Sequence, residues 1–130
     1  MNAAAATVIG TAVGFAGLGL TALWMRGVCL PVSAHEAKWQ CDAAIVGVAL
    51  VYFGSSLLTA ILANRHTIPS AVLASFALFA LHAWTPYFAI TFFGEHWYQN
   101  WYALVLAAAP ALAGMLVGML LHRGKHAHAL

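Results

Sequence analysis

A chain of 130 residues that is 64% hydrophobic and 6% charged is no water-soluble domain, since such domains carry about a quarter charged residues. Its net charge of +2 is too small to argue for nucleic acid, and no basic patch with interleaved aromatics lies outside the apolar stretches. The five basic and three acidic side chains all sit between or after four long apolar runs, which makes lipid the solvent of this protein.

A hydrocarbon core about 30 Å thick is crossed by roughly 20 apolar residues in a helix. Four runs qualify, at residues 3–25, 43–63, 68–93 and 101–121. The expected fold is therefore all-α: a polytopic four-transmembrane-helix bundle forming a single membrane domain over 1–130. The first run reads as a retained span rather than a signal peptide. No Lys or Arg precedes Arg26, and the run exceeds the usual apolar region of about 7–15 residues.

The first predicted helix is rich in Ala and Gly, with Gly10 and Gly14 forming a G-x-x-x-G pair. Glycines four apart share one face and let a second helix backbone approach closely. The second helix carries Tyr52, Ser55, Ser56 and Thr59. Its hydroxyls are able to bond carbonyls of their own helix or to reach across to a neighbour. In the third, Pro69 suits a first turn, whereas Pro86 lies inside the run and leaves the His82 carbonyl without its usual donor. The fourth repeats the small-residue device in Ala107, Ala111, Gly114 and Gly118, with Pro110 freeing the carbonyl of Leu106. These stripes point to close helix packing, within the chain or against another subunit. Helices 1 and 2 do not resemble helices 3 and 4, so the inverted repeat of secondary transporters is not evident.

Four spans place both ends of the chain on one side together with the 64–67 link. That side holds Arg65, Arg123 and Lys125, against Arg26 and Lys38 on the other. The positive-inside rule favours cytoplasmic or matrix-side termini, in a bacterial or mitochondrial inner membrane. The same three cations suit anionic lipid headgroups. Cys29 and Cys41, the only cysteines, bracket the first loop. On the outer side they are placed for a disulfide. Trp24, Trp39, Trp97, Tyr98, Trp101 and Tyr102 gather around that face as an aromatic belt.

His82 is the one ionisable side chain deep in a span, which makes it a functional candidate by default. It suits a structural hydrogen bond, a quinone or lipid contact, or a haem ligand. A bis-histidine haem would need its second ligand from another chain. His35 and Glu36 in the first loop, with Glu95 and His96 in the third, form a weak candidate metal set, because their spacing is not diagnostic. No nucleotide-binding, metalloprotease or nucleophile-elbow motif occurs, and no span holds Asp, Glu, Lys or Arg.

The sequence therefore points away from an enzyme. It suggests a small accessory or scaffold subunit of a larger membrane complex, of the respiratory or photosynthetic kind, held to other membrane subunits or to its own copies. The alternatives are an oligomeric small-solute channel or carrier built on His82 and the helix 2 hydroxyls, and a haem- or quinone-binding redox protein using His82. The identity of any cofactor is not encoded in a recognisable motif.

Overall fold

The computed structural model describes residues 1–29, 38–63, 67–84 and 101–127, with side chains for 1–27, 42–63, 67–84 and 104–124. The described residues are helical throughout apart from Met1, Asn2 and Ala63. Helix α1 spans Ala3–Trp24, and its last turn widens into a π-helical segment at Met25–Cys29. Helix α2 is Lys38–Leu62, α3 is Thr67–Trp84 and α4 is Trp101–Ala127. All four are long and apolar enough to cross a membrane, and the protein is a four-helix membrane bundle.

Local chemistry sets several of these limits. Asn2 caps α1, its Oδ1 accepting from the Ala5 amide at 2.7 Å, which satisfies one of the orphan donors of the first turn. Pro69 occupies the third position of α3, where its missing N–H goes unused. Helix α4 runs through Pro110 and continues to Ala127. It thus extends six residues past the apolar run ending at Leu121, so Arg123 stands on a helix rather than a free tail. Pro86, whose effect on the His82 carbonyl was the expected feature of the third span, lies outside the described residues, as do the links 30–37, 64–66 and 85–100.

Helix α2 is the hub. It packs against α1, α3 and α4, while α1 and α4 flank the α2–α3 pair from opposite sides. The α1–α2 seam is antiparallel and built on glycine. A methyl at Gly10 would collide with Thr59 Oγ1, and one at Gly14 would fall 2.6 Å from Leu78 Cδ2 of α3 and 2.9 Å from Ser55 Oγ. Farther along α1, Gly17 meets Val51 and Gly47 meets Thr21. Helix α4 lies parallel to α2, its Gly114 against the Phe53 carbonyl and its Gly118 2.5 Å, measured from an added methyl, from Ala60 Cβ. Both G-x-x-x-G pairs are thus used inside the chain. Lipid tails are as apolar as leucine, so backbone proximity and dispersion hold these seams in place of a hydrophobic drive.

Two hydroxyls of α2 lie at its seam with α1. Ser55 Oγ donates across the seam to the Gly10 carbonyl at 2.7 Å, and Thr59 Oγ1 donates to the Ser55 carbonyl at 2.8 Å. Thr11 Oγ1 makes a longer reach of 3.5 Å to the Ala74 carbonyl of α3. Beyond them a core of Leu18, Ala22, Val48, Tyr52 and Leu78 fills the half of the bundle toward the C-terminal ends of α1 and α3.

Candidate functional site

His82 is fully buried, at 0% exposure, on the face of α3 that meets α2. Its Nδ1 lies 3.1 Å from the Tyr52 hydroxyl, and the two rings sit 6.1 Å apart at a tilt of 32°. Tyr52 is 1% exposed. Two helices therefore deliver one buried hydrogen-bonded pair to the bundle interior, and the bond runs in either direction according to the imidazole tautomer. With Nδ1 bare, Tyr52 donates to it. With Nδ1 protonated, the imidazole donates and the phenol proton is turned elsewhere.

Next to this pair lies a groove of about 400 Å³ between α3 and α4, with α2 as its floor. Tyr52 and Ser56 line it from α2, Ser75, Phe76 and Phe79 from α3, and Leu104, Ala108 and Leu112 from α4. The groove arises because the small-residue face of α4 is committed to α2, so α3 and α4 touch only lightly. Its surface is almost wholly apolar: Tyr52 and Ser56 are buried, and Ser75 Oγ is bonded to the Ala71 carbonyl at 2.8 Å. The outer lip is formed by exposed side chains, Phe76 among them at 71%, so the groove opens sideways toward lipid.

The other candidates fall as follows. Gly10, Gly14, Gly114 and Gly118 are buried in the α1–α2 and α2–α4 seams. Arg123 is exposed near the C-terminal end of α4, one residue beyond His122, whose Nε2–H donates to the Ile61 carbonyl near the end of α2 at 3.0 Å. Arg65 and the side chains of Lys125, Cys29 and Cys41 lie outside the described residues, as do all four members of the metal set, His35, Glu36, Glu95 and His96. Among the described residues no three metal-ligating side chains converge.

Sequence reading picked out His82 but missed its partner. A usable signal was present. Tyr52, Ser55, Ser56 and Thr59 follow the i, i+3, i+4, i+7 pattern of a single helix face, and counting outward from the 64–67 hairpin puts Tyr52 within a turn of the level of His82. The groove had no such signal, because it depends on how far α3 and α4 splay. The chain matches no family model, no curated protein and no solved structure.

Proposed function

We propose that this protein is a small four-span accessory subunit of a larger membrane complex of the respiratory or photosynthetic kind, one that seats a lipophilic group in the α3–α4 groove. The observation that carries this reading is the position of the groove directly against the Tyr52–His82 pair. A concave, apolar site that opens toward lipid has the form of a site for a lipophilic group. An intramembrane histidine is costly to keep without a use. The channel alternative draws less support, because Ser55 and Thr59 spend their hydroxyl protons in the α1–α2 seam. A bis-histidine haem would need a second imidazole beside His82, and among the described buried side chains His82 is the one histidine.

The test is purification of the tagged chain from its native membranes in mild detergent. The expected result is stoichiometric co-elution with subunits carrying haem or iron–sulfur absorbance. Recovery as an isolated chain in every mild detergent would sink the accessory-subunit reading.

The same reading puts the termini on the cytoplasmic or matrix side of an inner membrane and joins Cys29 to Cys41 on the outer side. Membrane-impermeant maleimide added to spheroplasts should label both cysteines only after reduction. Labelling restricted to inverted vesicles would reverse the orientation.

A further inference from the structure

We propose that Tyr52 and His82 form a redox-active pair: the phenol gives one electron to a strong oxidant on a neighbouring subunit while its proton passes to the imidazole. This rests on the accessory-subunit reading above for the source of the oxidant, and names what the buried pair does.

The pair is poorly explained as a fastening. Two hydrogen-bonded groups buried in hydrocarbon hold helices little better than two apolar side chains of the same shape, and α2 and α3 already meet in the apolar core through Val48 and Leu78. What the pair adds is chemistry. A phenol that loses an electron becomes strongly acidic. In lipid it must shed its proton in the same event, because charge there is costly. The acceptor has to be a base already at hydrogen-bond distance. His82 is the one basic side chain within the four spans, and its Nδ1 lies 3.1 Å from the phenol oxygen. No span holds a carboxylate to pair with an imidazolium, so the imidazole rests uncharged. The tautomer with Nδ1 bare is the one that accepts.

The step balances within the pair and its oxidant. One electron leaves the phenol, the O–H bond breaks, and the proton forms an N–H bond at Nδ1. The products are a neutral phenoxyl radical, an imidazolium and the reduced oxidant. Return of one electron sends the proton back to the oxygen. The charge left on the imidazole makes the couple strongly oxidising, which limits its partner to the class of a chlorin radical cation or a ferryl haem. Burial makes the cycle reversible. Tyr52 and His82 are at most 1% exposed, so the proton does not leak to water. The buried side chains clustered with Tyr52 are Leu18, Ala22, Val48, Leu78, Ala107 and Ala111, all aliphatic and harder to oxidise than a phenol.

The test uses the full chain in phosphatidylcholine nanodiscs, with Tyr87→Phe, Tyr98→Phe and Tyr102→Phe leaving Tyr52 as the single tyrosine. A lipid-anchored ruthenium tris-bipyridyl complex, flashed with a cobalt(III) electron acceptor, serves as the oxidant. Expected is a tyrosyl radical in electron paramagnetic resonance, coupled through its hydrogen bond to a nitrogen of ¹⁵N-labelled histidine. Tyr52→Phe should remove the signal. His82→Gln offers the phenol an amide oxygen but no basic nitrogen, so a merely structural bond survives in it. That variant should nevertheless oxidise Tyr52 about a hundredfold more slowly, the lower end of what a positioned proton acceptor supplies.

The nitrogen coupling is read with both residues in place and decides the matter even if a variant fails to fold. No tyrosyl signal, a signal without histidine coupling, or an equal rate in His82→Gln would overturn the assignment. Each of these leaves the accessory-subunit reading standing if the chain co-elutes with a redox assembly. Conversely, a chain that forms the coupled radical and never co-elutes keeps the redox pair and loses the other reading.

Discussion

At the residue scale, the seams between helices are decided by single atoms. Gly10 is the tightest case, since a methyl there meets Thr59 Oγ1 with the Ser55 carbonyl 3.1 Å away. Gly10→Ala should destabilise the bundle by about 1–3 kcal/mol, as overpacking does elsewhere, measured by reversible unfolding in mixed micelles. Adding Thr59→Ala should recover part of the loss. Gly54 sits in the middle of α2 with nothing within 4 Å of an added methyl. Gly54→Ala should therefore raise stability by about 0.5–1 kcal/mol through backbone entropy alone. If the two glycines respond alike, the seam is not packed as described. Ser55→Ala removes the donation to the Gly10 carbonyl and should lose about 0.6 kcal/mol, the mean for such bonds in a membrane. The apolar spans and the two glycine pairs were legible at this scale because composition and spacing four are local facts. That Gly10 faces Thr59 was not, because it depends on the register between two helices.

At the element scale, α2 orders its neighbours by what each face carries. Its Ser55–Thr59 side takes α1, its Phe53–Leu57–Ala60 side takes α4, and Tyr52 points the remaining contact toward α3. Helix α4 is fastened a second time where His122 donates to the Ile61 carbonyl, satisfying one of the last carbonyls of α2, which have no partner inside that helix. His122→Leu should leave the core intact and speed amide exchange in residues 119–124 about threefold, within the range of one exposed hydrogen bond. Unchanged exchange there would show the clamp to be idle. The reach of α4 to Ala127 was not legible from hydropathy, because a helix continues past its apolar stretch wherever each added residue gains a backbone bond.

At the scale of the whole molecule, the segregation of charge fixes what the bundle is immersed in, and the aromatic residues mark its depth. Trp84 stands 87% exposed at the end of α3. Seventeen residues separate it from Thr67, about 26 Å of rise, which carries it across most of a core about 30 Å thick to the rim where Trp24 also lies. A variant retaining Trp84 as its single tryptophan should be quenched more strongly by lipids brominated near the headgroup than near the chain end. The opposite order would place α3 at a different depth. Of the site itself, the sequence exposed His82 because a lone ionisable residue in a span stands out. It concealed the groove, because an opening between two helices is set by how tightly each is held to a third.

The hub role of α2 also bears on how the protein is made. Once the ribosome has supplied the first sixty-odd residues, the α1–α2 hairpin has every contact it needs to close in the membrane. Helix α3 then arrives beside a finished partner, and α4 comes last, docking onto a face of α2 that has been waiting in lipid since the second span was inserted. The parallel α2–α4 seam is the one that waits for the last span to be made. A chain stopped before residue 101 would hold a closed three-helix body with that face bare. Quality control in the membrane has there a clear mark of an unfinished molecule.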